Sequence, residues 1–337
     1  MPKIPHSITI QDVARNAGVS VSTISRVLNN KADVSLETQA HVKEVIQSLG
    51  YTSNLAARSM RSLHTNIIGV IVPDIEHPFS HEVLKGINRV IAASKYDLLV
   101  YTTGSFQKQD TAQHEQQYVS RLNGTITDGV IVVTPSASTF MSNAPIVSID
   151  PHVFSAEYPT IFTDHYRGAV EVMRYLTGLK HTRIAYISGR PGVQNAERYQ
   201  AYCDELEKAG IAFDSDLVVT GDYSTDSGEA CARSLLSLSR PPSAIFAAND
   251  QTALGVMKAA KQARVKIPRD LSLVGFDNIP ETQYCGLTTV DQSLVEMGRQ
   301  AVELLFKLIE GKAIDTHTIK NSPRLVIRDS CQVFVPE

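Results

Sequence analysis

The stretch Thr9-Ile10-Gln11-Asp12-Val13-Ala14-Arg15-Asn16-Ala17-Gly18-Val19-Ser20-Val21-Ser22-Thr23-Ile24-Ser25-Arg26-Val27-Leu28-Asn29 decides how the whole chain is read. Thr9 followed by Asp12 has capping-box spacing, in which a hydroxyl and a carboxylate satisfy the free N–H groups of a helix start. A helix is therefore expected from Ile10, with Ile10, Val13, Ala14 and Ala17 at i, i+3, i+4 and i+7 on one face. Gly18 permits a sharp turn, and Ser20 caps a second helix. There Ile24, Val27 and Leu28 share the inward face, which leaves Ser22, Arg26 and Asn29 pointing out. A third helix, capped by Ser35, carries Val42, Val45, Ile46 and Leu49 on one stripe and stops at Gly50. Two short helices around a glycine turn, braced by a third, make an all-α helix-turn-helix unit. A plain three-helix bundle explains the apolar stripes equally well. It does not explain a small, polar, acid-free outer face with one arginine at its centre, which suits a major groove where Arg26 bonds guanine O6 and N7 bidentately.

Charge supports a division of labour. Residues 1–62 hold seven Lys/Arg against four Asp/Glu, a balance of +3, so the rest of a chain of net charge −3 carries −6. A positive head on an acidic body is the asymmetry expected when only the head meets phosphate. The length of 337 residues, with 43% hydrophobic and 20% charged, fits a soluble globular protein of two or three domains. No run approaches the roughly 18 to 20 uncharged apolar residues of a membrane span, and Met1–Ile10 lacks a signal-peptide core, so a cytoplasmic location without membrane contact is expected. Cys203, Cys231, Cys285 and Cys331 are far apart, with no CxxC pair and no His at zinc spacing, which reads as reduced thiols and no metal site.

Beyond residue 64 the chain alternates helical stretches with apolar runs: Ile67–Val72, Leu98–Tyr101, Val130–Val133, Ile146–Ile149, Ile184–Ser188, Ala244–Ala247 and Leu273–Phe276. Continuous apolar strands between helices predict parallel sheets covered on both faces, a doubly wound α/β body. Ligands in such folds sit beyond the carboxyl ends of the strands. Asp74 follows the first run, Asp150 the fourth, Asn249-Asp250 the sixth and Asp277-Asn278 the seventh. These converge on an acceptor-rich cleft suited to a neutral ligand with many hydroxyls, such as a sugar or nucleoside. Asp and Asn are also ordinary turn and cap residues, and Asp250 is expected to cap the helix after it. His77, in the first loop, is expected at the surface. None of GxGxxG after Val72, GxxxxGK[ST], GxSxG or HExxH occurs, and no nucleophile–base pair is assignable, so neither enzyme activity nor a cofactor is expected. A secreted sugar-binding protein would share the body, but the helical head and the missing signal argue against it.

Thr9-Ile10-Gln11-Asp12-Val13-Ala14, Ala17-Gly18-Val19-Ser20 and Thr23–Asn29, continuing through Val34-Ser35, Leu49-Gly50-Tyr51, Asn54 and Ala57-Arg58-Ser59, closely resemble the N-terminal signature of the LacI/GalR (lactose-repressor) family. The likeness extends through Gly69–Asp74, Asp128–Ile131, Asn249–Gly255, Gly275–Asn278 and Leu287–Val290, so it covers nearly the whole chain. It implies a transcriptional regulator, in the sense of a repressor, with a helix-turn-helix domain over 1–52, a hinge helix over 53–63 and a periplasmic-binding-protein-like effector-binding and dimerisation domain over 64–337. The implied N-subdomain is approximately 64–163 with 292–322, and the C-subdomain approximately 164–291 with 323–337. By position, Val21, Ser22 and Arg26 would read bases, while Thr9, Ser20, Thr23, Ser25, Asn29, Ser35, Thr38, Tyr51 and Asn54 would hold phosphates.

The hinge, Asn54 to Arg61, makes about two turns, too short to be stable alone. The resemblance implies that it folds in the minor groove, with Ala57 in contact and Met60 as the apolar wedge. Met60 departs from the usual Leu there, and Ser53 from the usual Pro. The resemblance further implies effector contacts from Phe79, Asp150, Arg198, Tyr223, Asn249 and Asp277, beside which Gln194 lies close to Arg198 in sequence. The expected partners are double-stranded, pseudo-palindromic operator DNA, a second copy of the chain, and a small-molecule effector, sugar-like ahead of a nucleoside or purine. No leucine heptads follow Arg324–Arg328, so a dimer rather than a coiled-coil tetramer is expected. Two family glycines appear as Lys95 and Lys180, a destabilising exchange wherever the backbone is left-handed.

Overall fold

The caps read from the sequence hold the head as expected. The computed structural model describes residues 8–28, 31, 33–51, 64–104, 111–122, 126–153 and 157–335. The chain divides into two compact units, Met1–Thr65 and Asn66–Glu337.

In the first unit, helix α1 (Ile10–Ala17) starts in a capping box: the Thr9 hydroxyl accepts the Asp12 N–H, and the Asp12 carboxylate accepts the Thr9 N–H at 2.9 Å. Gly18, at φ 65°, turns the chain into α2 (Val21–Leu28), whose Thr23 N–H donates to the Ser20 hydroxyl at 3.1 Å. Ser35 caps α3 (Leu36–Leu49) in the same way through the Thr38 N–H. Val13, Ala14, Ala17, Ile24, Val27 and Val42 form the buried centre. Each fully buried Val or Ile there contributes about 1.5–3 kcal/mol. Leu28 departs from the expected inward face and is 36% exposed, because it sits at the last position of α2, beyond the end of that small core.

The second unit runs β1 (Ile67–Val72), α4 (Pro78–Ile91), β2 (Asp97–Thr102), α5 (Thr111–Leu122), β3 (Gly129–Val133), β4 (Ile146–Ile149), β5 (Thr160–Thr163), α6 (His165–Gly178), β6 (Ile184–Ser188), α7 (Val193–Lys208), β7 (Val218–Thr220), α8 (Thr225–Leu236), β8 (Ala244–Ala247), α9 (Asp250–Gln262), β9 (Ser272–Val274), α10 (Glu281–Tyr284), β10 (Thr289–Asp291), α11 (Leu294–Ile309), β11 (Thr318–Asn321) and β12 (Arg324–Val326). One sheet has the order β11-β5-β4-β3-β1-β2 and another β7-β6-β8-β9, and all of their pairings are parallel. A short antiparallel pair joins β10 to β12. The chain therefore leaves the first sheet after β5, returns to it at β11, and leaves it again. Helices cover both faces of each sheet, as continuous apolar strands require: β1, β3, β4 and β6 are buried along their whole length. Helices α4 and α11 pack backbone to backbone, since a Cβ on Gly86 would lie 1.9 Å from the Val295 carbonyl oxygen.

Lys180 has φ 68°, and its neighbours close a Schellman cap on α6, with the His181 N–H donating to Leu176 O at 3.2 Å. Lys95 has no positive φ, so only one of the two exchanges carries strain. Lys180→Gly is expected to stabilise the body by about 1 kcal/mol, read as a raised urea midpoint at unchanged slope, whereas Lys95→Gly gives no such gain.

Candidate functional site

Strand ends of both sheets converge on one cleft of about 460 Å³, lined by His77, Phe79, Thr134, Asp150, His152, Gln194, Arg198, Tyr223, Asn249 and Asp277. Seven of the eight expected effector residues are here. The exception is Asp74, which does not line the cleft: its carboxylate accepts the Glu76 N–H at 2.8 Å and so closes its own turn. His77 corrects the expectation of a surface position. It is half-buried against the cleft, where its ring caps α4 by accepting the Phe79 N–H. Asp250 does not cap α9 either. Asn249 does, through the Thr252 N–H at 2.9 Å, while Asp250 is fully buried and accepts from the Ile279 N–H and the Thr289 hydroxyl.

Four of the lining residues take left-handed backbone: Thr134 (φ 46°), Asp150 (φ 47°), Tyr223 (φ 71°) and Asp277 (φ 125°). Each such residue costs roughly 1–3 kcal/mol, and strain of this kind clusters where side chains are held for binding. The Tyr223 ring sits over Gly189, where a Cβ would fall 1.9 Å from its Cζ, so the glycine makes room for this wall of the cleft.

Arg198 organises the floor. Its Nη1 donates to the Ala248 carbonyl, its Nη2 meets His165 Nδ1 at 3.0 Å, and its Cζ lies 3.9 Å from the centre of the Phe276 ring. His165 Nε2 is in turn 2.7 Å from Asp150 Oδ1. Gln194 donates to the Asp150 backbone carbonyl at 2.6 Å and pairs with His152 at 3.1 Å. Two buried polar atoms at the cleft, Thr134 Oγ1 and Arg198 Nε, have no hydrogen-bond partner, which is costly unless a ligand meets them.

Burial alone would raise the Asp150 pKa, but the His165 imidazole and the Arg198 guanidinium hold it below the ordinary carboxylate value. Asp277 is pushed well above that value by burial and by the nearby Asp250 carboxylate. Burial lowers His77 and His152 and pushes Tyr223 up to about 12. Burial thus disfavours the charged forms of Asp277, His77, His152 and Tyr223, while Asp150 is held toward its carboxylate form by the His165 imidazole and the Arg198 guanidinium, beside the Phe79 and Tyr223 rings.

Sequence reasoning missed Thr134, His152 and His165. Thr134 directly follows β3, but a lone threonine at a strand end carries none of the signal of an acid or amide there. His165 follows β5, which contains two threonines and makes no apolar run.

In the head, Ser22 and Arg26 are exposed, and Arg26 Nη1 is 3.3 Å from Asp33 Oδ2. Val21 is half-buried against the head core, which limits its outward reach, and Tyr51 also packs there. The hydroxyls of Thr9, Ser20 and Ser35 serve as caps, and those of Thr23 and Thr38 bond to the capping serines, whereas Ser25 is half-buried. Asn29, Asn54, Ala57 and Met60, with the hinge helix expected over 53–63, lie outside the described residues. Among the described residues no group of His, Cys, Asp or Glu is placed to hold a metal, and no helix is long and apolar enough to cross a membrane.

Residues 9–54 match bacterial regulatory proteins of the lacI family, and residues 173–331 match a periplasmic binding protein-like domain. The ribose operon repressor of Halalkalibacterium halodurans is 34% identical over 328 residues, 96% of each chain. The Lac repressor dimer bound to operator and the anti-inducer ONPF is 25% identical, with a TM-score of 0.81 over 96% of this chain and 99% of that one. The transcriptional regulator CelR in complex with cellobiose is 27% identical, with a TM-score of 0.70 over 96% of this chain and 99% of that one. The chain belongs to the lacI family of bacterial regulatory proteins: it is a DNA-binding transcriptional regulator, not an enzyme, with a helix-turn-helix head and a periplasmic-binding-protein-like α/β body.

Proposed function

We propose that this regulator acts in the cytoplasm as a homodimeric repressor on a pseudo-palindromic operator, and that a neutral, hydroxyl-rich small molecule, sugar-like ahead of a nucleoside or purine, controls it from the cleft. The division into a reading head (1–52), a hinge (53–63) and an effector and dimerisation domain (64–337) belongs to the same reading, with Ser22 and Arg26 on the bases and the capping hydroxyls near phosphates. The observation that carries it is the charge-balanced cleft. Asp150 and Arg198 offset one another, burial disfavours charge on the other titratable lining groups, and the aromatic faces of Phe79 and Tyr223 suit the C–H surface of a sugar ring. A charged ligand would leave one member of the buried pair uncompensated. Ribose and cellobiose are natural first probes, given the relatives named above.

A thermal-shift panel of sugars and nucleosides tests this. A true effector at 100 times its Kd stabilises by about 2.7 kcal/mol and changes retardation of operator DNA by the same protein. Salt-sensitive DNA binding with no sequence preference would sink the reading.

Arg26 gives a second test. Its pair with Asp33 leaves both side chains more than half exposed, at 58% and 56%, so releasing it costs at most about 1 kcal/mol. Arg26→Ala is therefore expected to weaken operator binding by about 1–3 kcal/mol and to relax preference at one base pair, with little change on random DNA. Asp33→Ala should leave operator affinity within a few-fold.

A further inference from the structure

His165 lines no part of the cleft and is 1% exposed, yet both of its ring nitrogens are engaged. It is the first residue of α6, where Asp164 caps the helix by accepting the Arg167 N–H at 3.0 Å, and this fixes the point from which the imidazole projects. Nε2 faces Asp150 at the end of β4, and Nδ1 faces Arg198 on α7. The Phe276 ring lies beside both, 5.9 Å from the imidazole between ring centres and 3.9 Å from the guanidinium carbon.

The partners determine the proton. A guanidinium only donates, so Nδ1 at 3.0 Å from Arg198 Nη2 must be a bare acceptor. The single imidazole proton is then on Nε2, donated to the Asp150 carboxylate at 2.7 Å. A flipped ring would turn carbon toward both partners, and an imidazolium would set donor against donor at Arg198. With one Nη bond going to His165 and the other to the Ala248 carbonyl, the plane of the guanidinium is fixed, while its buried Nε has no partner.

We propose that His165, held as the neutral Nε2–H tautomer, is a positioning residue for effector recognition: it links Asp150 to Arg198 and locks the plane of the guanidinium, whose Nε–H, the nitrogen with no partner in the protein, is then held ready for a ligand oxygen. This rests on the reading of the cleft as the effector site. The lock forms before any ligand arrives, so the freedom of a long, flexible side chain is lost on folding and not on binding.

The test uses the full chain, isotope-labelled and without ligand. Nitrogen-detected imidazole spectra are expected to show His165 protonated at Nε2 and bare at Nδ1; an Nδ1–H or doubly protonated ring would overturn the proposal. His165→Gln keeps a donor for Asp150 and an acceptor for Arg198, whereas His165→Phe fills similar space with neither. Exchange of the Arg198 Nη protons should be at least about 10-fold faster in His165→Phe and within about 2-fold of the parent in His165→Gln. Equal acceleration in both variants, or in neither, would reduce His165 to packing. If His165→Phe does not fold, the tautomer and the glutamine variant still decide. Failure of every sugar to bind the parent protein would count against the effector reading and leave these ligand-free results untouched.

Discussion

Arg198→Ala is expected to weaken effector binding by about 2–5 kcal/mol, roughly 30-fold to several-thousand-fold in Kd, and to make operator binding insensitive to effector. The size follows from burial. Arg198 is 4% exposed, stacked on Phe276, and donates to Ala248 and His165. Truncation removes the unpartnered Nε donor and withdraws the positive charge that helps to keep Asp150 ionised. Asp150 is then a buried carboxylate that has lost its guanidinium and keeps His165 as its main support, so the unliganded body should also melt lower, by about 2–4 °C for each kcal/mol lost. Below that temperature the head, a separate compact unit, retains its DNA-reading face. Calorimetric titration of the effector, with gel retardation of operator in its presence and absence, checks both parts. Arg198→Lys separates charge from shape: it keeps the positive charge without the planar fork, and is expected to recover only part of the loss. An Arg198→Ala protein that binds effector within about 3-fold of the parent would mean that the cleft is not the effector site.

How far the sequence carried depends on where each residue sits in the sheets. Strands buried on both faces were legible to the residue: Ile67–Val72, Ile146–Ile149, Ile184–Ser188 and Ala244–Ala247 have the same ends in sequence pattern and structure. Edge strands were not. Thr318–Asn321 lies at one sheet edge, half-exposed and polar, so it leaves no apolar run, and Val218–Thr220 at the edge of the other is only three residues long. The cleft was legible because a doubly wound sheet makes strand ends converge, which brought Asp150, Asn249 and Asp277 together from distant parts of the chain. The same rule misplaced Asp74, where the ordinary tendency of Asp to close a turn prevailed. Asn249 does both at once, capping α9 while lining the cleft. What no local pattern could supply was the support behind the site: His165 matters only because Asp150 and Arg198 meet on either side of it.

Asp250→Asn is expected to stabilise the body at pH 8 and to do little or the reverse near pH 4. Asp250 is fully buried, and burial, only partly offset by the Thr289 hydroxyl and the Ile279 and Asn278 N–H groups, pushes its pKa from 3.8 to about 7. Asp277 is raised by the same burial and by Asp250 itself. A carboxyl whose folded pKa lies above its unfolded value binds more protons when folded, so its contribution is fully present below about pH 4 and is lost as pH rises through about 7. A displacement of about three units corresponds to roughly 4 kcal/mol as an upper bound. Because the two carboxyls repel each other, a neutral residue at 250 also relieves Asp277. Other groups follow different windows. Glu115, likewise raised to about 7, keeps part of the slope in the variant; His77 and His152, lowered by burial, favour folding as pH rises toward 6.5; and Asp150 acts only below about pH 4. The informative quantity is therefore the difference between variant and parent. Asparagine still accepts the Ile279 N–H, now at 2.9 Å from Asp250 Oδ2, and turns its amide N–H toward the Thr289 oxygen, so the loop after β9 stays braced. Melting curves at pH 5 and pH 8 should show the variant gaining on the parent by several degrees between the two, with about 2–4 °C per kcal/mol for a body of this size. An equal loss at both pH values would mean that Asp250 is ionised and stabilising throughout, the opposite of what its burial beside Asp277 demands.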